Sequence, residues 1–160
     1  AEIESSLSIG IFQWLKKYGS SGKYKGVIDG EGKSKLPNIY ISIEPFINDI
    51  LKVQCKNSKF GLIRISGEFI LDPVYDRIDS LGELVFAVCK DGKLGFMNLN
   101  GEVEIPFIYE VPEEGEEIVF YNGLACVLQQ NSDGEYRYGY IKRAPIAAPK
   151  KYLWNLIYFH

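Results

Sequence analysis

KLGFMNLNGEVEIPFIY, residues Lys93–Tyr109, decides the fold. It reads as a strand, an Asn-Gly turn, a second strand and a Pro-x-x-Tyr exit. The same outline occurs at Lys59–Tyr75 and, more faintly, at Lys23–Tyr40. Aligning the three stretches on their first glycine (Gly26, Gly61, Gly95) brings a second glycine six residues later each time (Gly32, Gly67, Gly101). A tyrosine follows fourteen residues after the first glycine (Tyr40, Tyr75, Tyr109). The signature is G-x5-G-x7-Y, with starts 35 and 34 residues apart. A fixed period in that range marks an array of one repeated unit. A fourth start stands at Gly139, 44 residues on, but Pro145 occupies its second-glycine position and the array ends there.

Each repeated position has a physical task. Asn100-Gly101 is the strongest hairpin signal and predicts a type I′ turn, in which both central residues take positive φ. Apolar residues precede the turns (Val27 and Ile28, Leu62 and Ile63, Phe96 and Met97). Phe69 and Leu71, then Val103 and Ile105, follow them at the period of a half-buried strand. Pro37, Pro73 and Pro106 are expected to end the second strands, since proline cannot donate to a ladder. A third strand is expected at Lys52–Lys56, Val85–Lys90 and Leu124–Gln129. The expected fold is all-β: about three and a half antiparallel three-stranded repeats, meander- or solenoid-like, over 23–142 of a single domain, 1–160. Three strands per unit argue against a propeller, whose blades carry about four. Before the array, Leu7, Ile11, Trp14, Leu15 and Tyr18 fall at helical spacing, which predicts a capping helix over 6–18. After it, 143–160 reads as a linker followed by an apolar segment, Tyr152–Phe159, that either caps the last repeat or meets a partner.

The pattern resembles the bacterial WG-repeat, or KWG-repeat, family. Lys59-Phe60-Gly61-Leu62-Ile63 with Gly67-Glu68, Asp72-Pro73-Val74-Tyr75-Asp76, Lys93-Leu94-Gly95-Phe96 with Gly101-Glu102, and Gly123-Leu124-Ala125-Cys126-Val127 carry the likeness. The namesake tryptophan is replaced by Phe60, Leu94 and Tyr138, and by Lys25 in the first unit. The resemblance implies a β-repeat scaffold and assigns no activity.

The net charge of −3 speaks against a nucleic-acid partner. No stretch reaches the roughly 20 apolar residues of a membrane span, and no signal segment stands at the start. A cytoplasmic setting is expected, or an extracytoplasmic one if a signal preceding Ala1 was removed. Cys55 and Cys89 share one repeat position and read as small apolar filler, a disulfide between them being the alternative. Cys126 falls one step off that register and should face the other way.

Residue chemistry argues against an enzyme. The single histidine is His160, the last residue, so histidine-based acid–base, nucleophilic or zinc chemistry is not expected. The glycines are hairpin glycines, not a phosphate loop, and neither a cofactor nor a metal is expected. Asp72, Asp76, Asp79 and Glu110 leave a carboxylate-based hydrolase as a remote alternative. The one feature beyond structural need is the insertion after Tyr109, where Glu110, Glu113, Glu114, Glu116 and Glu117 fall within eight residues. Inserted loops in repeat proteins map to one face, often the binding face. The expected function is therefore a non-enzymatic protein-binding module with a basic partner, an immunity-type protein being one concrete form. The alternative is glycan or small-ligand binding on a row of exposed repeat tyrosines, Tyr40, Tyr75 and Tyr109.

Overall fold

A computed structural model describes residues 2–4, 12–17, 24–81, 85–113, 118, 120, 121, 123–142 and 155–159. Every element in it is a β-strand: β1 (Glu2–Glu4), β2 (Phe12–Lys17), β3 (Tyr24–Asp29), β4 (Ser34–Tyr40), β5 (Ser42–Ile47), β6 (Ile50–Gln54), β7 (Phe60–Arg64), β8 (Phe69–Tyr75), β9 (Arg77–Ser80), β10 (Val85–Lys90), β11 (Lys93–Asn98), β12 (Val103–Glu110), β13 (Leu124–Gln130), β14 (Tyr136–Lys142) and β15 (Asn155–Phe159). All pairings are antiparallel. The chain, read from sequence as one domain, groups into two compact units, Ala1–Tyr75 and Asp76–His160.

The first unit holds two four-stranded meanders, β1-β2-β3-β4 and β5-β6-β7-β8. Their shared core is Val27, Leu36, Tyr40, Ile43, Leu51, Val53 and Ile63. The second unit holds the meander β9-β10-β11-β12 and a three-stranded sheet, β13-β14-β15. Val85, Ala87, Cys89, Leu94, Phe96, Ile105, Tyr109, Ala125, Val127 and Ile141 form its core. Phe96 is fully buried, which is worth about 1.5–3 kcal/mol for a side chain of that size.

Three expectations are corrected. In the second and third sheets the repeat contributes four strands, not three, because the residues after Tyr40 and Tyr75 pair again as β5 and β9. The strand count is thus that of a propeller blade, and the sequence argument against such a blade lapses. Phe12–Lys17 is a strand paired with β3, not the second half of a helix; 6–11 and 18 lie outside the described residues. The prolines do not end their strands. Leu94 pairs with Tyr109 while Phe96 pairs with Ile105, so the residues between Ile105 and Tyr109 bulge out opposite Gly95. Pro106 sits in that bulge, where no ladder donor is required. The same jump occurs opposite Gly26, with Pro37 in the bulge, and opposite Gly61, with Pro73 in it.

The turns also depart from expectation. Gly101 takes φ 80°, but Asn100 is not in the positive-φ region. The Gly101 N–H donates to the Asn98 carbonyl (3.0 Å) and the Asn98 N–H to the Glu102 carbonyl (3.0 Å). This is the longer hairpin loop closed by one left-handed residue. The same pair of bonds closes Asp29–Lys33, Cys55–Lys59, Arg64–Glu68 and Asn131–Glu135. Asn98 reinforces its turn from within: Oδ1 accepts from the N–H groups of Asn100 (2.9 Å) and Glu102 (3.0 Å), and Nδ2 donates to Glu102 and Glu104 (2.8 Å each). Asp91 and Gly92, by contrast, both have positive φ (51° and 74°) and link β10 to β11 in the two-residue form.

The three cysteines are free. Cys89 is buried in the second core, and loss of solvent pushes its thiol up to about 11. Cys126 faces outward, as the one-residue offset implies. Of the C-terminal segment, Asn155–Phe159 is the third strand of the last sheet, paired with β14; 143–154 and 160 lie outside the described residues.

Candidate interaction cleft

The repeat tyrosines are structural. Tyr40 and Tyr109 are each only 3% exposed and belong to the two cores, and Tyr75 is half-buried. Burial raises all three hydroxyl pKa values, with smaller contributions from Cys55 at Tyr40 and Asp72 at Tyr75. They end the strands whose bulges cover the glycines, so their rings turn inward. The exposed row that a glycan surface at these positions needs is not formed.

A different tyrosine row is exposed. Tyr136, Tyr138 and Tyr140 occupy alternate positions of β14 and are 59%, 67% and 50% exposed. They stand opposite Gln130, Leu128 and Cys126 of β13, on the face away from buried Ala125 and Val127. The Tyr-x-Tyr-x-Tyr of 136–140 carried this information at period two.

Beside that face lies a cleft of about 610 Å³. Glu110, Val111, Pro112, Glu113 and Ile118 line one side, and Cys126, Val127, Leu128 and Tyr138 the other, with Leu94 between. Val111 and Ile118 also pack on the core, so the floor is apolar. Among the described residues the charged side chains in the lining are the two acids. Glu110 is partly buried and paired with Lys93, and Glu113 is exposed. Glu114, Glu116 and Glu117 lie outside the described residues.

The cleft arises from one departure in the repeat. Ile43 and Ile78 each come three residues after the repeat tyrosine, and both are buried opposite a valine, Val53 and Val88. Three residues after Tyr109 stands Pro112. Val111-Pro112-Glu113 takes the place in the chain that β9 has after Tyr75, yet forms no strand. After the insertion, Tyr121 pairs with Leu124 at the start of β13, and Ile118 packs on the same core as Val127.

The acids considered for hydrolysis are otherwise occupied. Asp76 Oδ2 accepts the Asp91 N–H (3.0 Å), Asp79 pairs with Arg77 (2.5 Å) and Asp72 is exposed at the surface. Glu110 and Glu113 both line the cleft, and Glu110 is paired with Lys93. Among the described residues no cluster of three or more His, Cys, Asp or Glu is placed to hold a metal. No helix among them is long and apolar enough to cross a membrane.

Architecture and cleft together define a tandem antiparallel β-repeat protein. The WG containing repeat family matches residues 60–93 and again 95–132, so these two stretches are similar to its repeat. The first match runs from β7 through β10, and so joins the last two strands of one sheet to the first two of the next. No curated protein and no solved structure matches the chain significantly.

Proposed function

We propose that the chain is a non-enzymatic protein-binding module that holds a partner through the cleft between Glu110–Glu113 and β13. The observation that carries this reading is an apolar floor next to an acidic segment, where an insertion interrupts the repeat. Apolar surface supplies affinity on burial, while carboxylates at the rim speed the encounter with a basic partner and exclude acidic ones. The likeness of 60–132 to the WG containing repeat fits a repeat scaffold that presents a surface. The exposed tyrosines beside the cleft fit the same role, since such rings are enriched in protein interfaces.

The test is affinity purification of the native protein from its source cells, with co-purifying proteins identified by mass spectrometry. It is repeated with Glu113, Glu114, Glu116 and Glu117 reversed to lysine. One stoichiometric protein partner, lost on charge reversal and weakened by raised salt, is the expected result. Absence of any protein partner from the unaltered protein would sink the reading.

A further inference from the structure

From the turn that joins β11 to β12 we infer a site of spontaneous covalent modification. Asn100 loses its side-chain amide to attack by the main-chain nitrogen of Gly101, and aspartate or isoaspartate takes its place at the tip of the hairpin. This inference is independent of the protein-binding reading above.

The reaction needs an asparagine, an uncrowded following nitrogen and water. The Gly101 nitrogen attacks Cγ of Asn100. A new N–Cγ bond forms as the Cγ–Nδ2 bond breaks, and ammonia leaves carrying the Gly101 amide proton. The product is a cyclic imide, which water then opens. Cleavage of the N–Cγ bond gives aspartate in the ordinary chain. Cleavage at the Asn100 main-chain carbonyl gives isoaspartate, with the chain running through the former side chain. Hydroxide removes the amide proton and so sets the rate. A side chain on the following residue crowds the attacking nitrogen, and glycine has none.

The first observation is a comparison within the fold. The Cys55–Lys59 loop is closed by the same pair of main-chain bonds as Asn98–Glu102, and Asn57 holds in it the place that Asn100 holds in the other. Both asparagines are exposed. Asn57, however, is followed by Ser58, and its Oδ1 accepts the Lys59 N–H (3.1 Å). Asn100 is followed by Gly101. Its main-chain N–H donates to Asn98 Oδ1 (2.9 Å), while among the described residues no group bonds its side-chain amide. One loop geometry thus restrains one asparagine and presents the other.

The second observation is that the fold already holds the aspartyl form of this turn. In Asn131–Glu135, Asp133-Gly134 stands where Asn100-Gly101 stands. Asn131 Oδ1 accepts from the N–H groups of Asp133 (3.0 Å) and Glu135 (2.9 Å), as Asn98 Oδ1 accepts from Asn100 (2.9 Å) and Glu102 (3.0 Å). Gly134 takes φ 83° and Gly101 φ 80°. Aspartate therefore fits at 100 without rearrangement. Isoaspartate lengthens the main chain inside a loop closed by Gly101 to Asn98 and Asn98 to Glu102, so it cannot keep both bonds.

One contact opposes the reaction. The Gly101 N–H donates to the Asn98 carbonyl (3.0 Å), and that bond must open before the nitrogen can attack. Conversion in the folded chain is accordingly slower than in the unfolded one. It proceeds by local opening of a hairpin end, which costs less than global unfolding.

The test incubates the full chain, folded and in urea, over a mildly alkaline pH series. Each asparagine is followed by mass spectrometry with fragmentation that separates aspartate from isoaspartate. Reading site by site also keeps apart the product of Asn122-Gly123, whose asparagine lies outside the described residues. In the folded chain Asn100 should convert at least tenfold faster than Asn57, in proportion to hydroxide, with isoaspartate exceeding aspartate. Ser58→Gly, which the φ of 63° at Ser58 tolerates, should speed Asn57 yet leave it slower than Asn100, since the bond from Lys59 remains. Asn100→Asp should keep the urea midpoint of the parent, while the isoaspartyl fraction of aged protein should have a lower one. Equal rates at Asn100 and Asn57, or an intact Asn100 in the folded chain once the unfolded chain has converted, overturns the inference. A midpoint for Asn100→Asp as low as that of the isoaspartyl fraction overturns the fit of aspartate to this turn.

Discussion

A methyl group is too much for Gly61. A Cβ there would lie 2.7 Å from the Leu71 carbonyl oxygen and 3.0 Å from Pro73 Cα, both backbone atoms that cannot swing aside. The first glycine of the repeat is therefore a close-approach residue beneath the bulge, and Gly26 (2.8 Å from the Leu36 oxygen) repeats the arrangement. The second glycine is of another kind: Gly67 has open space around it but a φ of +97°, which disfavours any side chain. Gly61→Ala should lower stability by about 1–3 kcal/mol, the usual cost of overpacking, seen as a lower urea midpoint. An unchanged midpoint would mean that the bulge does not cover Gly61. Asp29, at the start of the first glycine turn, gives a pH prediction. The Lys33 N–H, then the Glu31 N–H and Lys35, hold its carboxyl below its ordinary value of 3.8 against a smaller opposing effect of desolvation. A depressed carboxylate stabilises above its unfolded pKa and loses that contribution as pH falls through its folded one. Asp29→Asn keeps the Oδ1 acceptor but not the charge. Its stability difference from the parent should be present at pH 7 and shrink below about pH 4. A difference that is constant across that range would remove the role of the charge.

At the level of the strands, the sequence pattern was informative where the same residue types recur and uninformative where they do not. The glycines, the turn positions and three of the four strands in the second and third sheets followed from the repeat pattern. The fourth strand did not, because β5 and β9 share only an isoleucine three residues after the tyrosine, in settings as different as SIEPFI and RIDS. The helical reading of 6–18 failed over 12–17 for a related reason. Trp14 and Leu15 suited a helical face, but β3 offers a ladder to pair with, and tertiary pairing overrides weak local preference. Within the candidate site, the acidic insertion was visible as composition. The cleft beside it was not, since it depends on where 110–113 and Ile118 come to lie against β13.

For the whole chain, the two hydrophobic cores bear on how it folds. The first draws all its residues from Val27–Ile63 and the second all of its from Val85–Ile141, so each lies wholly within one compact unit. Each unit also contains complete meanders. Contacts between neighbouring strands of short separation dominate, which favours rapid local closure. Small units are nevertheless marginal, because a short chain buries a smaller share of its surface than a long one. Among the described residues the second unit has the larger core, with Phe96 fully buried and Phe120 edge-on to it at 6.4 Å between ring centres. Residues 76–160 expressed alone should therefore give a dispersed amide spectrum and one cooperative urea transition. Residues 1–75 should be the weaker of the two, the described part of its core being drawn from aliphatic side chains and Tyr40. A collapsed spectrum for 76–160 in isolation would mean that this core needs the rest of the chain to form, and that the repeat array folds as a single cooperative body.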